Sequence, residues 1–510
     1  MMLWFENTGS NIMGRFFEFV PRLTLATAAC IISACASPSQ PQHVLPSEQS
    51  RPNVIVIVAD DLGYNDLSAY GGSIQTPNID RLAAGGVRMT SGYVTAAVCA
   101  PSRAAILSGR QQTRFGFEFN PVGRDESGGM SLEETTIAET MRAAGYRTGM
   151  VGKWHVGQAV GFRPLDRGFE RFFGILGGAT PYLTSIGPDD LHVVTAEDQY
   201  ITRDRLPIFD QDTRVDPDQY VTDLLTERAI EFMGQSQTQP FFLYLAYTAP
   251  HTPLQAPARY LERAPADASD SERVYAAMVT SLDDGIGRLS DYLRSTGQFD
   301  NTLIIFVSDN GCPSYVSCSN APLNGWKGYP WEGGIRVPYI VSWPDRLAPS
   351  ASDAPVSSLD IAATAAAAAG VRHPGAEGVN LVESLEAPAS VQSERALFWR
   401  MGPTRVVRSG RWKLITVNRS ATAGGGDELE HSRIPDGMSA NVSALGQWTF
   451  LYDLSSDPAE RFDVAAQHPE VVAALQQQWE NWNLQNVEPQ WTSRRGVRGD
   501  VNGSRVELFN

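Results

Sequence analysis

Apolar positions along this chain fall into two patterns. Short continuous runs rich in β-branched and aromatic residues occur at Asn53 to Ala59 (NVIVIVA), Thr148 to Val151, Pro240 to Ala246, Thr302 to Val307 and Val337 to Val341. Runs of that length without alternation predict strands buried on both faces, as in a parallel sheet. Between them, apolar residues recur at helical spacing at Asn78 to Gly85, Ser102 to Leu107, Thr136 to Ala144, Tyr220 to Met233 and Ser271 to Ser295. Strands alternating with helices predict an α/β fold, a mostly parallel or mixed central sheet sandwiched by helices.

The pattern changes after about residue 380. Ala396 to Arg400, Thr404 to Val407, Trp412 to Val417 and Phe450 to Asp453 are short strand-like segments joined by glycine-containing turns, and His468 to Leu484 has helical spacing. These predict a smaller C-terminal antiparallel sheet plus helix. Ala421 to Ala440, with three consecutive glycines, reads as a loop. No internal repeat is present. The expected division is 1–35 export signal, 36–50 flexible tether, 51–380 catalytic domain and 381–510 C-terminal α+β subdomain.

The N-terminal division rests on composition. Arg15 and Arg22 precede the apolar run Leu23 to Ala34, which ends at small residues, in the layout of a secretory signal, and Met13 is an alternative start. Ile32-Ser33-Ala34-Cys35 resembles a bacterial lipobox, which would put a lipid on Cys35; the competing reading is cleavage at the A-x-A pattern Ala34-Cys35-Ala36. One lipid would tether the protein rather than embed it. The Pro-, Ser- and Gln-rich stretch Ser37 to Ser50 suits a tether. An exported protein, periplasmic or lipid-anchored to a bacterial membrane, is expected.

The chain is 510 residues long, with 42% hydrophobic and 19% charged residues, ordinary for a folded domain with a substantial core. A formal charge of −16 argues against nucleic acid as a general partner. Two of the five cysteines, Cys30 and Cys35, lie in the export segment, while Cys312 and Cys318 are close enough in sequence for a disulfide. Cys99 is then a lone thiol, suited either to chemistry or to a buried structural position.

Chemistry-bearing residues gather where predicted strands end. Asp60 and Asp61 follow the first strand, and Asp309 and Asn310 follow Thr302 to Val307. Ligands of open α/β sheets bind beyond the carboxyl ends of strands. Adjacent carboxylates repel unless a cation neutralises them. Three carboxylates and one amide suit Ca²⁺ or Mg²⁺. A lone Asp-Asp pair is more often a solvated turn, but the second strand end shifts that balance. Pro101 places Cys99 at the start of a helix, where backbone N–H groups favour an anion, and Arg103 returns to the same face four residues on.

The run Cys99-Ala100-Pro101-Ser102-Arg103, continuing to Leu107-Ser108-Gly109-Arg110, resembles the signature of type I sulfatases, in the alkaline-phosphatase-like superfamily. The resemblance extends to Gly152-Lys153-Trp154-His155-Val156-Gly157, to His251 in Ala249-Pro250-His251, and to Lys327 followed by Glu332-Gly333-Gly334-Ile335-Arg336. On an extended segment Lys153 and His155 would share a face, with Trp154 packing on the other. His43, His192, His373, His431 and His468 match no motif, although His192 lies in a region expected near the substrate.

The resemblance implies oxidation of Cys99 to formylglycine (3-oxoalanine) by a formylglycine-generating enzyme. It implies a divalent metal, Ca²⁺ or Mg²⁺, on Asp60, Asp61, Cys99, Asp309 and Asn310. Arg103, Lys153 and Lys327 would stabilise transition-state charge, with Lys153, His251 and Lys327 also binding substrate. A hydrated aldehyde would attack sulfur with one hydroxyl and expel sulfate through the other. His251 would protonate the departing alcohol and His155 assist the expulsion, roles that can be exchanged. Similarity to carbohydrate sulfatases implies a sulfated polysaccharide or oligosaccharide as substrate; Phe115, Phe117, Tyr182, Tyr315 and Trp331, in loops after the core motifs, are rings that could stack on a sugar or equally belong to the core. The rival expectations are a phosphomonoester, phosphonate or phosphodiester hydrolase of the same superfamily, and a non-catalytic glycan-binding surface lipoprotein.

Overall fold

In a computed structural model of the chain, the described residues are 51–121, 128–195, 198–236, 238–386, 395–402, 404–418, 431–438, 441–442, 447–491, 496–501 and 504–509. The expected export signal, Cys35 and the tether lie outside them. Five parallel strands form the middle of a ten-stranded sheet, in the order Thr302–Ser308, Asn53–Ala59, Phe241–Ala246, Arg147–Lys153 and Arg171–Ile175. Shorter strands extend both edges. Tyr339–Ser342 pairs antiparallel with Thr302–Ser308, so the run at 337–341 marks where the parallel core ends.

The two faces of Asn53–Ala59 feed different cores. Val54, Val56 and Val58 join one apolar cluster, while Ile55, Ile57 and Ala59 join the other. Strict alternation on a strand with no polar face is what a sheet covered on both sides requires. The long helix Asp270–Ser295 covers the second face, opened by a capping box in which Ser269 and Glu272 bond each other's backbone N–H.

Leu397–Met401, Thr404–Ser409, Trp412–Asn418, Gln447–Asp453 and Asn441–Val442 form a five-stranded antiparallel sheet. Ile415, Val417, Phe450 and Tyr452 join the first large cluster. Val407, Leu414 and Leu451 pack instead with Leu475, Trp479 and Trp482 of the helix Pro469–Asn483. The segment expected as a loop at 421–440 differs in part: His431–Met438 is a strand, paired with Gly496–Val501. Glycine content at 424–426 hides pairing that depends on a partner more than fifty residues away.

Candidate active site

Register brings the first two ligand pairs together. Ala59 is opposite Ser308 across parallel strands, so Asp60 and Asp309 leave the sheet side by side, and the Asp309 N–H donates to the Ala59 carbonyl at 3.0 Å. On the other flank, Val58 pairs with Ala246 and Ala246 with Gly152, which places Lys153 at the neighbouring strand end. Gly152 has φ +109°, and a Cβ there would lie 1.8 Å from the Ala246 carbonyl oxygen, so only glycine lets the strand end in this way.

Cys99 is the first residue of the helix Cys99–Ser108, whose ten residues are all buried. Val98, at the helix N-cap, supplies no side-chain cap; the Ala100 N–H instead donates to Asn120 Oδ1 at 3.0 Å. At the other end Gly109 closes the helix in a left-handed conformation, and His373 Nε2 bonds the Ser108 carbonyl at 2.8 Å. His373 therefore anchors the helix.

The predicted residues converge on this N-terminus. Cys99 Sγ lies 3.6 Å from Asp60 Oδ1 and 3.7 Å from Asp61 Oδ1. Lys153 Nζ donates to both oxygens of Asp60, at 2.9 and 2.7 Å, and Lys327 Nζ donates to Asp61 Oδ2 at 2.8 Å. His251 Nε2 is 3.6 Å from Asp61 Oδ2. The His251 Nδ1 lies 2.7 Å from the Thr252 carbonyl, which can only accept, so Nδ1 carries the proton and the Nε2 lone pair faces the site.

Arg103 is buried in the same cluster, its NH2 3.8 Å from Asp60 Oδ1. Its Nε donates to Asp309 Oδ2 and its NH1 to the Lys153 carbonyl, both at 2.8 Å. The guanidinium thus ties two strand ends together. His155 departs from expectation. The strand stops at Lys153, and His155 sits at φ +64°, so the chain turns rather than alternates. Trp154 is buried as foreseen, packed edge-on against Phe169. Asp61, at φ +65°, is a second non-glycine residue in the left-handed region here. Such strain clusters where surrounding structure holds functional groups in place.

Electrostatics sort the groups into charge states. Burial opposes ionisation of Asp60, but Lys153, His251 and Arg103 outweigh it and hold the carboxyl below its ordinary value. Asp61 is likewise held well below the ordinary carboxylate range, with Lys327 the leading cation against burial. Burial and the Asp60 charge push Asp309 up to about 6. Burial, then the Asp309 carboxylate, push the Cys99 thiol far up, which leaves it a poor nucleophile as a thiol. Burial, then Lys153 and Arg103, hold His155 neutral. Burial and Lys327 do the same for His251, against Asp61.

The donor set fits a hard cation. Asp60, Asp61, Cys99 and His251 each present a ligand atom, all within 4.8 Å of one another. Asn310 Nδ2 donates to Asp61 Oδ1 at 2.7 Å, while its Oδ1 is buried and accepts no hydrogen bond. A buried amide oxygen left over beside carboxylates is the kind of ligand Ca²⁺ and Mg²⁺ take. Asp309 is partly committed, to Arg103 and, at 3.2 Å, to the Asp61 N–H. His251 was foreseen as an acid and not as a member of this group. Also unforeseen were Thr252, which sets the His251 tautomer, and the part played by Tyr182, expected only as a ring for a sugar, whose hydroxyl bonds the His251 carbonyl at 3.0 Å. Neither sits in a recognisable motif. His192 is paired with Asp198 at 2.6 Å on a strand that pairs with Leu254–Ala256.

The chain is similar to known proteins in sequence and in fold. Residues 52–371 match the family model described as Sulfatase. Arylsulfatase A of Homo sapiens is 34% identical over 455 residues, covering 84% of this chain and 86% of that protein. Arylsulfatase J of Mus musculus is 30% identical, covering 85% and 76%. The crystal structure of Ps i-CgsB in complex with k-i-k-neocarrahexaose superposes with a TM-score of 0.75 at 31% identity, covering 86% of this chain and 94% of that one.

Proposed function

This chain belongs to the type I sulfatase family of the alkaline-phosphatase-like superfamily and is a sulfuric ester hydrolase; from that premise we propose that it removes sulfate from a sulfated carbohydrate, with a formylglycine derived from Cys99 and a divalent cation, Ca²⁺ or Mg²⁺. The observation that carries this reading is Cys99 at a helix start, within 3.7 Å of two carboxylates that Lys153 and Lys327 bracket. Similarity to a protein solved with neocarrahexaose supports the carbohydrate class.

Asp60, Asp61 and Asn310, with Asp309 beside them, would hold the cation. When present, the hydrated aldehyde at residue 99 supplies the attacking oxygen and the cation polarises the sulfate. The remaining steps belong to the chain's own residues. Lys153 and Lys327 pair with Asp60 and Asp61, the two carboxylates nearest residue 99, and their ammonium groups would stabilise charge that grows on the sulfate oxygens. Arg103 keeps Asp309 and the Lys153 backbone in place. His251 carries its proton on Nδ1 and a lone pair on Nε2, so Nε2 would first accept a proton in the site and, as the imidazolium, return it to the departing alcohol. His155, neutral and half-buried, takes part in release of the sulfate. In sum, water adds across the ester, giving an alcohol and hydrogen sulfate.

An exported location, a lipid on Cys35, maturation by a formylglycine-generating enzyme and division at about residue 380 belong to the same proposal. Mass spectrometry of the peptide containing residue 99 tests it directly. The expected product has the thiol replaced by an aldehyde, with sulfur exchanged for oxygen and two hydrogens lost. Cys99→Ala should keep the fold, by circular dichroism, and lose turnover. An unmodified cysteine in an active preparation, or full activity in Cys99→Ala, overturns the mechanism. Sulfate release from a panel of sulfated oligosaccharides, with an aryl sulfate and an aryl phosphate in parallel, tests the substrate class.

A further inference from the structure

Folding separates the five aromatic rings that the sequence offers to a sugar. Phe115, Phe117, Tyr182 and Trp331 are all buried. Phe117 packs edge-on against Trp491, Trp331 packs against Phe450, and Tyr182 is tied to the His251 backbone. Tyr315 is 46% exposed.

Tyr315 stands on a loop closed by the Cys312–Cys318 disulfide. The base of that loop is fastened to the site. The carbonyl of buried Cys312 accepts the Lys327 N–H at 2.9 Å. Asn320 brackets Cys312, accepting its N–H and donating to its carbonyl, both at 3.1 Å. On the far side Ser317 Oγ bonds Ser271 Oγ at 2.8 Å. The half-exposed ring and the backbone of the lysine that pairs with Asp61 are therefore carried by one braced unit.

We propose that Tyr315 is a specificity-determining residue, a pre-positioned ring that packs on the apolar face of the sugar bearing the scissile sulfate or of its neighbour. This rests on the carbohydrate reading above. A ring presents a large apolar face, and one fixed beforehand by a disulfide loop loses little freedom on binding. The compact anion itself is held by the lysines, so Tyr315 should matter for the sugar and not for sulfate alone.

The test measures kcat and KM on a sulfated oligosaccharide that the wild-type protein desulfates, and Ki for inorganic sulfate, in Tyr315→Ala and Tyr315→Phe. Tyr315→Ala should raise KM roughly three- to tenfold with kcat within about twofold, and sulfate Ki should not move. Tyr315→Phe should behave as wild type, because the ring face is retained. An unchanged KM in Tyr315→Ala overturns the inference, as does a Tyr315→Phe variant as impaired as Tyr315→Ala. A parallel rise in sulfate Ki also overturns it, since the loop would then be acting through Lys327. If the wild-type protein cleaves aryl sulfate but no sulfated sugar, the carbohydrate reading itself fails. An unaltered Tyr315→Ala on a sugar that is cleaved sinks the inference alone.

Discussion

Replacing Lys413 by Met should destabilise the protein by a large and pH-dependent amount. Lys413 is fully buried on the strand Trp412–Asn418, with its Nζ 2.9 Å from Glu332 Oε1 and 2.8 Å from Glu460 Oε1. Glu460 Oε2 in turn accepts the Glu332 N–H at 2.7 Å, and Tyr93 and Arg336 complete the shell around Glu332. Burial, reinforced by the Glu332 charge, pushes Glu460 up to about 7 against Lys413. Lys413, then Arg336, overcome burial at Glu332 and hold it down to about 2. The signs follow. Glu332 contributes stability above its ordinary value of 4.5 that is lost as pH falls toward 2. Ionisation of Glu460 costs stability as pH rises from 4.5 through about 7. Removing one partner of a buried ion pair costs about 3–5 kcal/mol. With unfolding entropy near 2.1 cal/mol/K per residue over about 460 residues, that corresponds to a Tm roughly 3–5 °C lower. Without Lys413, Glu460 stays protonated to higher pH, so the deficit should grow above pH 7 by up to about 1.4 kcal/mol per pH unit. Urea denaturation and calorimetry at pH 6 and pH 8 measure both quantities. A loss below about 1 kcal/mol, or one that shrinks toward pH 8, refutes the reasoning.

Lys327→Ala should lower kcat/KM by about 10²–10³, the effect of removing one preorganised donor, and should also lower Tm by a few degrees because buried Asp61 loses its ion-pair partner; steady-state kinetics on an aryl sulfate, run well below the variant's Tm, measure the first effect. Gly311→Ala would put a Cβ 1.8 Å from the Gly333 carbonyl oxygen. The chain must then shift between Asn310 and Lys327, so activity should fall along with about 1–3 kcal/mol or more of stability in urea denaturation. Prolonged EDTA treatment should reduce turnover, and Ca²⁺ or Mg²⁺ should restore it; full activity after verified removal of divalent ions would argue against a cation on Asp60, Asp61 and Asn310. Reducing the Cys312–Cys318 disulfide should raise KM for a sulfated oligosaccharide more than Ki for inorganic sulfate, because the loop that carries Tyr315 loses its closure.

Much of this protein is readable along the chain because the signals are local. Buried strands announce themselves as unbroken apolar runs, and Asp60-Asp61 and Asp309-Asn310 follow two of them directly. Cys99, Pro101 and Arg103 lie within one helical turn and a half, so their relation needs no partner element. What tertiary structure decided depends on separation in sequence. Pairing of Ala59 with Ser308 is a matter of sheet order and register, and it is what makes two ordinary strand ends into one cup. Arg103 reaches Asp309 and the Lys153 carbonyl because those strands neighbour its helix, which no spacing within residues 99–103 could reveal. His155 enters through a left-handed turn that an alternating strand pattern would not produce. The aromatic rings were equivalent on paper, since an apolar ring near a site packs inward or faces substrate according to which residues the fold puts beside it. Only the packing of the finished structure buries four of them and leaves Tyr315 at the surface, braced beside Lys327.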